Sequence, residues 1–424
     1  MKTGFIYVFF LLGLTSQLSA QFIPQQQERC NTFSYQQEQS RLNPSLTEKM
    51  IAIEKFISLQ SNNSENSRTN RIEGDFIKIP VVVHILYHSP AEKISDARVQ
   101  NQIEVLNKCF RRQNADSVKT PSYFKPLAAD VEIEFQLAIS DSRSRATTGI
   151  IRKYTPITKW SSDDKVKYSS NMGDDAWDTK SYLNIWVCNL DKLAGYSSLP
   201  GSDAAKDGVV IDFDAFGAIN SGNGYDLGKT AVHEIGHWLG LKHLWGDENC
   251  GDDGVADTPK QASYTSGCPS TIRITCSNGP NGDMYMNYMD FTSDVCMNLF
   301  TNGQKARMRA LFQSGGFRYT LLSSKGLDQP LIFETPIPEA DPKWLYPQLY
   351  PNPSSSTVTL DLTYDARWIG KIIQIVNLQG QTVLRVQVTG KILHIEINKL
   401  QAGLYFLAAK KEDGESMKMR FVKL

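Results

Sequence analysis

Residues 233–243 read HEIGHWLGLKH, and no other stretch restricts the fold of this chain so tightly. On a helix, His233 and His237 sit four residues apart and project from one face toward a shared point. Glu234 lies beside the first of them, where its carboxylate can take a proton from metal-bound water. Ala231, Val232, Ile235 and Leu239 supply apolar surface to anchor the helix. Gly240 can adopt positive φ, ending the helix and turning the chain, so that His243 returns as a third ligand. Three protein ligands leave one position for water, which is the open arrangement of a catalytic zinc; a structural site is closed by four.

The chain has 424 residues, enough for about three domains at roughly 150 residues each. Its 45 Lys and Arg balance 45 Asp and Glu, so there is no basic footprint and no nucleic-acid partner is expected. Residues 1–20 read as a secretory signal, with Lys2, an apolar stretch from Phe5 to Leu14, and small residues at Ser19 and Ala20. An apolar core of about ten residues is too short for the roughly 20 that span a bilayer. No other stretch is long and apolar enough, so no transmembrane segment is expected after signal removal. Export to an oxidising compartment lets cysteines pair, yet their number is seven.

Residues 21–73 are polar apart from one helical pattern, opened by a Ser45/Glu48 capping box ahead of Met50, Ile53, Phe56 and Ile57. Gln60–Gly74 reads as an exposed, cleavable link, and 21–73 as a propeptide. Ile79–Leu86 reads as a strand, and Asp96 opens a helix with Val99, Ile103, Leu106 and Phe110 on one face. Further strands are expected at Val131–Leu137, Leu183–Cys188 and Val209–Ile211, with helices over Gly228–Leu241 and near Gln304–Phe312, the latter behind a Thr301/Gln304 capping box. The expected architecture over 74–325 is α+β with an α/β-type N-terminal subdomain. Seven prolines between Pro330 and Pro353 argue against regular structure and mark a linker over 326–348. Six short strands separated by Gly and Asn turns then form a small all-β sandwich over 349–424.

His84 and His88 also lie four apart, but on a strand that spacing is about 13 Å, too far to share a metal; both, like His394, read as structural. The loop Gly246–Pro259 carries Asp247, Asp252, Asp253, Asp257 and Thr258. It fails as an EF-hand, because Asp252 stands where the sixth-position Gly belongs and Thr258 where the terminal Glu belongs.

HExxHxxGxxH is the signature of the metzincin metallopeptidases, and Asn287-Tyr288-Met289-Asp290-Phe291 resembles their Met-turn, with Met289 as its methionine. HLWGDENCGDDGVADTP after residue 242, NYMDFTSDVCMNLFTNGQ (287–304), IPVVVHILYH (79–88), LNIWVCNL (183–190), AGYSSLP (194–200) and DGVVID (207–212) are similar to the pappalysin family. The resemblance implies a metzincin-like catalytic domain in two parts about a cleft, with the active-site helix beneath it. It implies His233, His237 and His243 as zinc ligands, Glu234 as general base and acid, and protein or peptide substrates. Phe291 departs from the family, which usually places a tyrosine there.

The resemblance further suggests a structural calcium at Asp252, Asp253, Asp257 and Thr258; an ordinary solvated acidic loop is the alternative. It places Asp294 on the wall of the pocket after the scissile bond, hence a preference for a basic side chain. Gly195–Leu199 is the candidate edge strand for substrate pairing. Cys250, Cys268, Cys276 and Cys296 allow three pairings, of which the resemblance favours Cys250–Cys276 and Cys268–Cys296. Cys109 and Cys188 fall in helix and strand patterns and read as buried thiols. Cys30, in a segment similar to the family's Arg-Cys-Gly-Thr motif but with Asn31 in place of Gly, is a candidate cysteine switch. It would block zinc until cleavage near Arg68 or Arg71.

LYPNP (349–353), VNLQGQTV (376–383), LQAGLYFL (400–407) and KMRFVKL (418–424) resemble the C-terminal sorting domain of type IX secretion. That resemblance implies the type IX machinery as a partner, and release or attachment at the outer-membrane surface. A carbohydrate-binding or adhesive sandwich is the competing reading.

Overall fold

The structure, a computed structural model, describes residues 27–64, 76–334, 341–411 and 416–424. The expected signal over 1–20 and the cleavage points Arg68 and Arg71 lie outside them. In chain order, α1 (Thr32–Leu42) and α2 (Pro44–Ser64) precede β1 (Ile77–Tyr87), α3 (Asp96–Phe110), β2 (Ile133–Leu137) and β3 (Ile150–Tyr154). There follow β4 (Leu183–Cys188), β5 (Gly195–Ser197), β6 (Val209–Asp212), α4 (Lys229–Trp238) and α5 (Asn302–Ala310).

One sheet organises this part, in the order β2-β1-β4-β6-β5, with β3 also pairing with β1. Its strands are parallel except β5, which runs antiparallel to β6 and forms an edge. β1 and β4 are buried on both faces and read as continuous apolar runs, as central parallel strands do. One face packs on α3 and α4, and the core there gathers Ile79, Val81, Val99, Leu106, Ile185, Ile235 and Leu239. On α3 the expected face is buried, and Ser95 caps its N-terminus by accepting from the Arg98 amide. The other sheet face carries a smaller aromatic cluster of Trp160, Trp186 and Tyr196, into which Tyr35 of α1 inserts.

The N-terminal segment differs from the sequence expectation in three ways. It holds two helices rather than one, because Asn43 breaks the helical run without ending it. The expected Ser45 cap is not used: α2 already begins at Pro44, a residue suited to a first helical turn, and Ser45 Oγ donates to the Asn43 side chain. Gln60–Ser64, placed in the link by their polarity, are the last turn of α2. Tertiary contact explains that extension: Ile57 joins the catalytic core and Glu54 pairs with buried Arg307 of α5 at 2.8 Å.

The C-terminal sandwich pairs a four-stranded sheet, β10-β9-β12-β13, with a three-stranded sheet, β11-β8-β7. Its strands are β7 (Gln348–Tyr350), β8 (Thr357–Asp361), β9 (Ile372–Val376), β10 (Thr382–Gln387), β11 (Ile392–Glu396), β12 (Gly403–Lys410) and β13 (Ser416–Lys423). The six expected strands are present within a few residues, and β7 is a seventh. The linker is not free of regular structure: Lys343–Leu345 form a 3-10 turn and β7 starts at Gln348. Asp341 ties it to the catalytic part through Tyr87 and Lys93 of β1 and the following loop. Among the described residues no helix is long and apolar enough to cross a membrane.

Candidate metal centre and active site

α4 carries His233, Glu234 and His237, and every one of its ten residues is buried. Gly240, at φ +82°, ends the helix and redirects the chain so that His243 folds back. The three Nε2 atoms converge to within 3.0, 3.2 and 3.3 Å of one another. Tetrahedral zinc with Zn–N near 2.1 Å sets its ligand nitrogens about 3.4 Å apart, so this donor set fits the ion. Each Nδ1 is engaged elsewhere: His233 with the Tyr288 carbonyl at 2.6 Å, His237 with the Leu241 carbonyl at 2.9 Å, and His243 with the Asp247 carboxylate. Such contacts keep the Nδ1 proton and leave the Nε2 lone pair for a metal. Burial, and the neighbouring imidazoles, hold His233 and His237 well below the usual histidine range, so both rings are neutral.

The Met-turn supports this helix from below. A Cβ on Gly236 would lie 2.5 Å from Met289 Sδ, so only glycine lets Met289 approach α4 there. Asn287 fixes the turn, accepting from the Met289 amide at 2.9 Å and exchanging amide hydrogen bonds with Gln304. Gln304 also closes the Thr301 capping box of α5, so one residue joins the Met-turn to the next helix. Phe291 packs edge-on against the His243 ring, with Trp245 stacked on that ring at 4.4 Å.

Cys30 completes the cluster. Its Sγ and one nitrogen of each of the three histidines lie within 4.8 Å of one another, all buried. Burial and the Glu234 carboxylate push the Cys30 thiol well up. Residues 28–32 run along the free edge of β5: Glu28 exchanges backbone hydrogen bonds with Lys192 and Ala194, and the Asn31 amide donates to the Gly195 carbonyl. Arg29 is buried, donating from Nη1 to the Thr292 carbonyl at 2.9 Å and from Nη2 to Asp294 Oδ1 at 3.0 Å. Its guanidinium lies 4.9 Å over the Tyr225 ring. Asp294 Oδ2 meanwhile accepts the Leu227 and Lys229 amides at the start of α4. Burial pushes the Glu234 carboxyl up to about 8, against hydrogen bonds from Thr32 and Cys30 and the charge of Arg29.

The structure brings the zinc-ligand candidates, Glu234, Met289, Asp294 and Cys30 into one place. It also pairs Cys250 with Cys276 and Cys268 with Cys296, and leaves Cys109 and Cys188 as buried thiols. The residues expected at a calcium are engaged by protein donors. Asp253 accepts from Thr258 and the Val255 amide, Asp257 from Thr301 and the Gly303 amide, and Asp252 faces Lys260 at 3.7 Å. Asp252 and Asp253 thus accept within their own loop, and only Asp257 reaches another element, the start of α5. Among the described residues, the Cys30 and histidine cluster is the one group of three or more His, Cys, Asp and Glu placed to hold a metal. Asp247, grouped with the acidic loop by sequence, instead orients His243; a carboxylate four residues after a ligand histidine is the signal for that role. Arg29 and Thr32 stand at the outer positions of the Arg-Cys-Gly-Thr-like segment, which gave no hint of their partners, and Tyr225 carried no signal.

A helix-borne histidine pair with a returning third histidine, seated over a Met-turn beside an edge strand, defines a metallopeptidase. Residues 166–313 match the peptidase family described as pregnancy-associated plasma protein-A, and residues 348–423 match the secretion system C-terminal sorting domain. Extracellular metalloproteases of Arthroderma gypseum and Pyricularia oryzae are each 30% identical, over 59% and 63% of this chain and 78% and 87% of theirs. Among solved structures, mirolysin in complex with compound 9 is 49% identical over 59% of this chain and 97% of that one, with a TM-score of 0.57. A Tannerella forsythia promirolysin mutant is 43% identical over 70% and 97%, with a TM-score of 0.63. The chain belongs to the pappalysin family of metzincin metallopeptidases and carries a type IX sorting domain. It is a metallopeptidase that is secreted or attached at the cell surface.

Proposed function

We propose that the protein is a zinc-dependent endopeptidase made as a latent precursor and opened by loss of its N-terminal segment. The observation that carries the reading is the convergence of three buried histidines and the Cys30 thiol on one point. His233, His237 and His243 would hold zinc, which when bound polarises a scissile carbonyl and lowers the pKa of a water to about 7. Glu234, next to the first ligand and shielded from solvent, is placed to take a proton and return it to the leaving amine. The Gly195 carbonyl and Ser197 amide of β5 offer a peptide substrate backbone partners. In the precursor, residues 28–32 fill that groove and Cys30 takes the position a substrate needs.

Phe291 gives no hydroxyl at the position where the family usually has one, and in this reading activity survives without it. The pocket around Asp294 suits a basic side chain after the scissile bond. Arg29 supports this, since its guanidinium meets a carboxylate, a carbonyl and an aromatic face, a combination matched to arginine. The domain boundaries follow: signal 1–20, propeptide 21–73, catalytic part 74–325, linker 326–348 and sorting domain 349–424. In the same direction, the promirolysin match extends over 70% of this chain and the shorter mirolysin match over 59%.

The deciding experiment is peptide-library cleavage by processed protein, with chelator and Glu234→Ala controls. Cleavage before Arg and Lys that both controls abolish is expected. Cleavage that persists in Glu234→Ala would overturn the assignment of the base, and equal cleavage before Arg and Leu would dismiss the basic pocket.

A further inference from the structure

A water poised to attack a peptide bond needs two contacts, the metal and the general base; Cys30 sits at the first and its thiol also reaches Glu234. The second is also taken by the N-terminal segment. Thr32 Oγ1 lies 2.8 Å from Glu234 Oε2 and accepts the Ser197 backbone amide at 2.9 Å. The direction of these bonds is set by inventory. The Ser197 N–H can only donate and the ionised Glu234 carboxylate, the form a base must have, can only accept, so the single hydroxyl proton goes to Glu234. Thr32, Ser197 and Glu234 are all buried, so water does not stand ready to replace either bond. The Thr32 amide in turn points at Cys30 Sγ at 3.3 Å, which places the thiol and the hydroxyl on one short turn of backbone.

We propose that Thr32 is a second inhibitory residue of the precursor. Its hydroxyl ties the Glu234 carboxylate to the edge strand β5 while Cys30 closes the metal site. The proposal rests on reading Glu234 as the base and Cys30 as the switch thiol. Its direct consequence is physical rather than catalytic: unseating Cys30 requires breaking the Thr32–Glu234 bond in the same movement, because one turn carries both groups. A precursor lacking the hydroxyl exposes Cys30 more often.

The test is a double-mutant cycle on the full-length, zinc-loaded precursor: native, Thr32→Val, Glu234→Ala and the double variant. A thiol-alkylating reagent with peptide mass mapping reads the modification rate of Cys30, and buried Cys109 and Cys188 report any general loosening. With Glu234 present, Thr32→Val is expected to speed Cys30 alkylation roughly 10- to 100-fold, the range for a hydrogen bond to a charged group. With Glu234→Ala the acceleration should fall to a few-fold, what remains being the lost Ser197 acceptor. Thr32→Ser should restore the native rate. Equal acceleration in both backgrounds, or none in either, overturns the link. If Thr32→Val also exposes Cys109 and Cys188, Thr32→Ala takes its place in the same cycle. A Glu234→Ala processed enzyme that still cleaved peptides would refute the base assignment, and would leave the measured coupling standing.

Discussion

The active-site helix α4 and the strands of the C-terminal sandwich bury their residues in opposite ways. On β9, Ile373 and Ile375 are buried while Ile372 and Gln374 face out, the period-2 alternation of a two-layer sheet. On α4 no residue faces out, and Lys229, Thr230, His233, Glu234 and His237 are buried with the apolar ones. Each charged or imidazole group therefore draws a partner from another element. Lys229 Nζ donates to the Asp294 and Met297 carbonyls and pairs with Asp116, His233 and His237 meet carbonyls, and Glu234 meets Thr32. The sandwich adds a few buried polar pairs, such as Lys411 with Asp365, to an apolar core, whereas α4 draws its partners from loops far along the chain. A buried polar helix of this kind is a functional device first and a core element second.

That contrast can be broken in graded steps. The largest effect is expected from Glu234→Ala, which should lower peptide hydrolysis by about 10²- to 10⁴-fold and leave the circular dichroism of the sandwich unchanged. Chelation of the metal comes next. Stabilisation by a ligand present at roughly 1,000 times its dissociation constant is about 4 kcal/mol, so calorimetry should show the catalytic transition falling and the sandwich transition staying in place. Ile375→Ala reverses the pattern. Loss of a buried isoleucine costs about 2–5 kcal/mol, and it should lower the sandwich transition without touching peptidase activity. Gly236→Ala is the smallest, at about 1–3 kcal/mol for overpacking. Its added methyl meets Met289, so the melt of the catalytic part should drop and activity should fall with it. A drop in both transitions for any of these variants would mean that the two regions do not melt independently.

Much of this contrast is legible in the amino-acid order. The His233/His237 spacing and Gly240 place two ligands on a helix and a third beyond its end, since helical geometry acts between near neighbours. Alternation marks six of the seven sandwich strands for the same reason. β7 escapes notice because Gln348–Tyr350 is short and flanked by prolines, and gains its pairing only from β8. α2 escapes its expected boundary because Glu54 and Ile57 anchor it to the catalytic part and its polar last turn continues from there. The acidic loop is less legible. Asp252, Asp253 and Asp257 invite a cation reading when counted along the chain, yet their spacing alone does not tell that Asp257 caps α5 through Thr301 and Gly303.

The sequence by itself determined the metal-binding helix, the alternating sandwich and the family resemblance, all of which rest on spacing within one or two turns or strands. Only the tertiary structure decided that Asp247 orients His243, that Arg29 fills the Asp294 pocket, and that Thr32 reaches Glu234. Those last two contacts join residues 265 and 202 positions apart. Their physical cause is the packing of the N-terminal segment along the edge of β5, and no local periodicity encodes such a meeting.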